Sequence, residues 1–266
     1  MKKHYLLASD FDQTLSFDDS GLILSELVGI DEYDTRVGKL SRLNLVQQGA
    51  ELAYLLRHDP DFRQVARADL IEVGRRVRLK KNVALLARLL DDGIDGHKFD
   101  FYVISAAPEQ VVHSALHGLV PPDHIIGTRF EWDDGTGLIG NLLSATAGYG
   151  KVAAVEHLRE RLAIPRDQVV YVGDGQSDLP VMLHVNRGEG FTIAASEARE
   201  ISHIAKRTVI SDDALSVLVP ILEDIVGFGK ADIRAFFESH GLVIQEWDRV
   251  RTDWLTIREG TADAAA

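Results

Sequence analysis

Short apolar runs punctuate the chain at His4 to Ser9, Asp100 to Ser105, Gln168 to Gly173 and Gly190 to Ala194. Each is short for a helix, and most are followed by apolar positions at helical spacing, so the pattern predicts strands alternating with helices. Such alternation implies an α/β fold, a doubly wound parallel sheet with helices on its faces. The second strand arrives only after roughly 80 residues of helical character, whereas a parallel crossover needs about a dozen. Something is therefore inserted between the first two strands. Its apolar positions at Leu22, Leu24, Leu27 and Val28, and again at Leu52, Leu55 and Leu56, have helical spacing. The expected organisation is a discontinuous core, residues 1–18 and 82–230, interrupted by a small helical domain over 19–81.

Further along, Arg129 to Trp132 and Leu138–Ile139 flank the aspartate-glycine turn signal Asp133-Asp134-Gly135 and predict a hairpin. A short run at Thr208 to Ile210 precedes a helix over Ala214 to Val226, and glycines at Gly227 and Gly229 break the chain. Ala231 to His240 reads as a helix, and Leu242 to Ile257 as irregular or strand-like, with Trp247 and Trp254 expected to cover the core. Residues 231–266 form an extension to which the sequence assigns no role, and its last residues, TADAAA, are expected to be disordered.

Composition narrows the classes. With 266 residues, 45% of them hydrophobic, the chain has enough apolar material for a large core. A formal charge of −12 excludes a general nucleic-acid binder, which needs many basic side chains against backbone phosphates. The absence of cysteine rules out disulfides and thiolate metal sites. No run of about 18 apolar residues is free of charge, so no membrane span is expected, and the apolar stretch after Lys2 and Lys3 is too short for a signal peptide. The expectation is a cytoplasmic protein, with oligomeric state left open.

The chemistry concentrates at strand ends. Asp10 and Asp12, in DFDQTL, follow the first apolar strand, and in open parallel sheets ligands bind beyond the carboxyl ends of strands. Two carboxylates there suit a nucleophile and a proton donor, although a pair of loop aspartates capping a helix has the same look. Asp174 and Asp178, in VGDGQSD, follow another apolar strand and suit magnesium, which prefers hard oxygen ligands; Gly173 and Gly175 would let the backbone approach a ligand closely. Ser105 ends the strand between these two and offers a hydroxyl and following amides to a phosphate, or simply an N-cap. Lys151 precedes the helix Val152 to Arg161, where an ammonium would offset phosphate charge. Other patterns fail: Ala145 and Val152 break a nucleotide P-loop around Gly148 to Lys151, Ser177 lacks the glycine of a hydrolase elbow, and the ten histidines form no trusted ligand pair.

Taken in order, Asp10 to Thr14 as DxDxT, then Ser105, Lys151 and Gly173 to Asp178 as GDxxxD, the sequence resembles the haloacid dehalogenase superfamily, and its insertion resembles the phosphoserine phosphatase-like branch. The resemblance spans roughly Tyr5 to Val226. It implies a Rossmann-like core with an inserted helical cap, and a magnesium-dependent phosphatase acting on a small phosphorylated metabolite through an aspartyl-phosphate. Asp10 would be the nucleophile and Asp12 the acid and base. Thr14, Ser105, Ala106 and Lys151 would meet the substrate. Asp10, the backbone carbonyl of Asp12, and Asp174 would hold magnesium, with Asp178 ligating through water or supporting Lys151. Dehalogenases lack the second aspartate of the first motif, so Asp12 argues against that chemistry. The other readings are a phosphotransferase, a phosphonate hydrolase using Lys39, the one lysine of the early insertion, or a non-catalytic binder of a phosphate ligand.

Two departures bear on substrate. Phosphoserine phosphatases commonly place a glutamate where Asp18 and Asp19 stand here, and two glycines where Ala106 and Ala107 follow Ser105. The basic run Arg75, Arg76, Arg78, Lys80 and Lys81 has the look of a solvated face, and as a substrate contact it would predict a second anionic group on the ester.

Overall fold

A computed structural model describes residues 3–43, 46–249 and 253–259. The N-terminal strand β1 (His4–Ser9) sits in the middle of a nine-stranded sheet with the order β4-β3-β2-β1-β5-β6-β7-β9-β8. The others are β2 (Lys98–Pro108), β3 (Ile125–Trp132), β4 (Ile139–Ser144), β5 (Val169–Gly173), β6 (Phe191–Ala194), β7 (Arg207–Ile210), β8 (Leu242–Arg249) and β9 (Asp253–Glu259). β4 and β8 pair antiparallel with their neighbours, and the seven strands between them in the order run parallel.

Strand residues alternate between two buried layers, which is why β1 reads as an almost unbroken apolar run. Tyr5 and Leu7 face one layer, with α5 (Val83–Asp92) and α6 (Glu109–Ala115); Leu6 and Ala8 face the other, with α7 (Tyr149–Arg161) and α8 (Leu179–Arg187). The second layer is closed by the short helix α9 (Arg199–Ser202) through Ile201.

Between β1 and β2 lie four helices, α1 (Ser20–Val28), α2 (Tyr33–Leu43), α3 (Glu51–His58) and α4 (Arg67–Arg76). Asp19 starts α1 by accepting the N–H groups of Gly21 at 2.8 Å and Leu22 at 3.0 Å, an N-cap that satisfies two orphan donors. The chain leaves and rejoins the core through two adjacent strands of linker: Phe17 donates to the carbonyl of Arg78 at 2.9 Å and Lys80 to that of Leu15 at 2.8 Å. The inserted helices also rest on the core directly. A Cβ on Gly74 of α4 would come within 2.3 Å of the Val111 carbonyl on α6, and Ser114 donates to the Ile71 carbonyl at 2.7 Å. Glycine at 74 is thus what lets the two helices approach.

Three expectations shift in detail. The hairpin forms, but its loop spans Asp133 to Leu138 and places the left-handed residue at Gly137, φ +70°, and not at Gly135. The helix expected over Ala214 to Val226 is broken into a 3₁₀ turn Ala214–Val217, α10 (Leu218–Ile221) and a π-type turn Leu222–Val226. Pro220 lies within it, lacking the N–H that an α-helix needs and crowding the carbonyl four residues back. Beyond Gly227, α11 (Lys230–Ser239) and the β8–β9 hairpin extend the sheet, burying Ile233, Phe237, Leu242, Ile244 and Ile257 in the first layer. Trp247 packs against that layer, with the Lys230 ammonium 5.1 Å from its ring centre; the Trp254 side chain and the TADAAA tail lie outside the described residues. Among the described residues no helix is long and apolar enough to cross a membrane.

Candidate active site

Register brings the motif residues together. Ser9 pairs with Val103 of β2 and with Val172 of β5, so the residues just beyond these strands emerge at one edge of the sheet. Asp10 follows β1, Ser105 lies where β2 is irregular between Ile104 and Pro108, and Asp174 follows β5. Together with Asp12 and part of the inserted helices they line a cavity of about 170 Å³.

Asp10 is 5% exposed, and its N–H donates to Val172 at 2.8 Å. Its Oδ1 accepts the Phe11 N–H at 2.7 Å, and its Oδ2 lies 2.8 Å from the Lys151 ammonium. Lys151 is fully buried and also reaches Asp178 Oδ1 at 2.6 Å. Burial alone would lower the lysine's pKa; Asp10 and Asp178 outweigh it and hold the ammonium charged. Both carboxylates flank one cation, so loss of the lysine leaves uncompensated buried charge, whereas loss of one carboxylate leaves a paired one.

Asp178 is saturated. Its Oδ1 takes Lys151 and the Tyr171 hydroxyl at 2.7 Å, and its Oδ2 takes the N–H groups of Asp174 at 3.1 Å and Gly175 at 3.2 Å. Those four donors occupy the roughly four acceptor sites of a carboxylate. The packing also fixes Gly173, where a Cβ would fall 2.4 Å from the Asp178 carboxyl carbon. Asp178 thus orients the lysine and the loop that carries Asp174, and has little left to offer an ion directly.

Asp174 accepts the Thr14 hydroxyl at 3.2 Å, and burial followed by the charge of Asp178 pushes its pKa up to about 7. Asp12 accepts the Ser20 hydroxyl at 2.7 Å and its N–H at 3.2 Å; burial, then Asp19, pushes its pKa up to about 8. Asp10 is likewise raised well above the ordinary carboxylate range by burial and then by Asp178. One oxygen from each of Asp10, Asp174 and Asp178 lies within 4.8 Å of the others.

These shifts have a consequence for stability. Asp12 and Asp174 rise from 3.8 to about 8 and about 7, so between those limits the metal-free folded state binds more protons than the unfolded chain. Stability is then highest near and below pH 4 on their account, and is lost as pH climbs through 7 and 8. Thermal melting in chelator is expected to give a lower Tm at pH 8.5 than at pH 6; a flat or rising Tm over that range would contradict the site's electrostatics.

A model of the haloacid dehalogenase-like hydrolase family matches residues 7–183. The chain belongs to this family. No curated protein matches it significantly in sequence. Among solved structures, it resembles a substrate-bound phosphoserine phosphatase complex with a TM-score of 0.65 at 18% identity, over 85% of this chain and all of that one. A phosphoserine phosphohydrolase-like protein from Francisella tularensis gives 0.63 at 17% identity, over 83% of this chain and all of that one. A gene product from Archaeoglobus fulgidus gives 0.60 at 14% identity, covering 96% of this chain and 90% of that one. At such identities the likeness is one of fold.

Within this haloacid dehalogenase-like hydrolase, Asp10, Asp12, Ser105, Ala106 and Asp174 line the cavity. Thr14 is buried behind them on Asp174, and Lys151 is buried on Asp10. Arg75, Arg76 and Arg78 do not line it: the first two pair with Glu72 and the third with Asp18 at 2.6 Å. Lys39 is exposed and also absent from the lining, so the lysine of a phosphonate hydrolase has no counterpart there.

Some contacts carry no motif. Ser20 on Asp12 and Ser41 on Glu51 are plain serines in the sequence. Tyr171, in the otherwise aliphatic strand VVYVG, had a signal: a polar tip buried in a parallel sheet must find a partner, and that partner is Asp178. Gln47, from the inserted segment, donates to the Ala147 carbonyl and accepts the Tyr149 N–H at 3.2 Å, tying the insertion to the loop before Lys151.

Proposed function

We propose that this hydrolase is a phosphatase that cleaves a small phosphomonoester through a phosphorylated Asp10. The observation carrying the proposal is the convergence on one cavity of a buried carboxylate backed by a buried lysine, a second carboxyl with a raised pKa, and a strand-end serine.

A carboxylate oxygen of Asp10 attacks phosphorus in line with the ester oxygen. Asp12, held by Ser20 and protonated near neutrality, hands its proton to the departing alkoxide. It then takes a proton from the water that attacks the phosphorylated Asp10, which releases inorganic phosphate and restores both groups. Ser105 Oγ accepts the Ala107 N–H at 3.1 Å, leaving its own proton for a phosphate oxygen. Lys151 fixes Asp10 and offsets the repulsion between carboxylate and phosphate.

The donor set fits magnesium: hard oxygens only, with more negative charge clustered than Lys151 balances. Asp10, Asp174 and the Asp12 carbonyl would hold it, with Asp178 orienting them. When bound, magnesium supplies further positive charge to the phosphate and nucleophile. Residues 19–81 act as a cap in this reading, closed over the site by contacts such as that of Gln47, and excluding water during transfer.

The purified protein is expected to release phosphate from an aryl phosphate and from some small metabolite esters with magnesium present. Excess chelator should bring that release to background, and added magnesium should restore it. Full turnover in chelator would remove the metal from the scheme, and no release from any ester would remove the phosphatase.

A further inference from the structure

The inserted helices contribute Tyr33, Val37, Glu51 and Leu52 to the cavity wall. Glu51 is 6% exposed. Its Oε1 accepts the Ser41 hydroxyl at 2.8 Å and its Oε2 the Gly49 N–H at 2.7 Å, both neutral donors. Among the described residues no Lys, Arg or His reaches it at ion-pair distance, although carboxylates so deeply buried are normally paired. As the first residue of α3, Glu51 also holds the turn at Gly49; a glutamine, with one accepting oxygen, would keep only one of these two hydrogen bonds. Its negative charge meets no cation among the described residues, and Glu51 is part of the cavity wall. Asp19 lines the same space, and among the described residues that line it there is neither lysine nor arginine.

Resting on the phosphatase reading, we infer that the ester's leaving group carries a positively charged nitrogen and no further anion. It is an aminoalkyl or quaternary-ammonium alkyl phosphate whose cation sits against the Glu51 carboxylate and the Tyr33 ring, with its methylenes on Val37 and Leu52. A desolvated cation over an aromatic ring and beside a carboxylate gains on both counts. A second carboxylate or phosphate on the substrate would instead meet Asp19 and Glu51 with no cation to receive it. The sequence-based expectation of an anionic substrate, drawn from Arg75, Arg76 and Arg78, gives way because those arginines are spent on Glu72 and Asp18 outside the cavity.

The test compares kcat/KM, with magnesium, for 2-aminoethyl phosphate and choline phosphate against the neutral ethyl phosphate and against O-phosphoserine, with an aryl phosphate as reference. The expected preference for the cationic esters over ethyl phosphate is at least about tenfold, and over O-phosphoserine at least as much. In Glu51→Gln the preference over ethyl phosphate should shrink to within about twofold, while Glu51→Asp keeps part of it. A preference near one in the parent protein, or one that survives in Glu51→Gln, overturns the inference even if the aryl phosphate is hydrolysed. Failure to hydrolyse the aryl phosphate overturns the phosphatase reading and this inference with it.

Discussion

Replacing Asp10 with asparagine is expected to lower turnover by at least about three orders of magnitude while leaving the fold intact. The amide matches the carboxylate in shape but cannot attack phosphorus. Its effect on stability should have the opposite sign to its effect on activity. Burial and Asp178 already raise the Asp10 pKa, so in the metal-free folded state the ionised form is penalised. A neutral side chain there removes one of two carboxylates on Lys151 and leaves the tighter contact, 2.6 Å to Asp178, in place. In chelator at pH 8 the variant should therefore melt no lower than the parent, a trade of stability for function common at active sites. Phosphate release and thermal melting check the two halves separately. Parental turnover in Asp10→Asn would falsify the nucleophile assignment, and a collapsed fold would show that Asp10 is structural first. Beryllium fluoride, which mimics a phosphorylated aspartate, should inhibit the parent.

Lys151→Met should damage both properties. Methionine nearly fills the lysine's volume but leaves Asp10 and Asp178 buried without a cation, and breaking a buried pair this way costs about 3–5 kcal/mol. Against a typical total of about 5–15 kcal/mol, that is a large fraction. The loss should depend on pH. With the lysine gone Asp10, already raised by burial, loses the cation that holds its pKa down and rises further, so the penalty is present where it ionises and shrinks where it is protonated. Urea denaturation is expected to show most of the loss at pH 8 and much less at pH 5. Activity should fall by about 10²- to 10³-fold at least, the scale of losing one preorganised charge in a water-poor site. Equal destabilisation at both pH values would point to packing, and not charge, as the lysine's contribution.

The sequence by itself determined the alternating architecture, the helical insertion after the first strand and the residues that gather at the strand ends. It could do so because those features are local: a buried parallel strand writes a short apolar run, and a residue just past that run emerges at the sheet's carboxyl edge whatever the rest of the chain does. Asp10, Asp12, Ser105 and Asp174 were legible on those grounds, and Lys151 through its place in the ordered motifs. Tertiary structure decided what depends on distant pairing. Asp178 becomes an orienting group only because Tyr171, Lys151 and two amides all converge on it. The segment after Gly227 joins the sheet only because β9 finds the free edge of β7, a pairing set by long-range packing and invisible in a run that reads as irregular. The basic run at Arg75 to Lys81 shows the same limit from the other side, since charge spacing gives the composition of a face but not its direction. Glu51 is the clearest case: in sequence it is one more acid in the first turn of a helix, and only the fold buries it without a cation at the wall of the cavity.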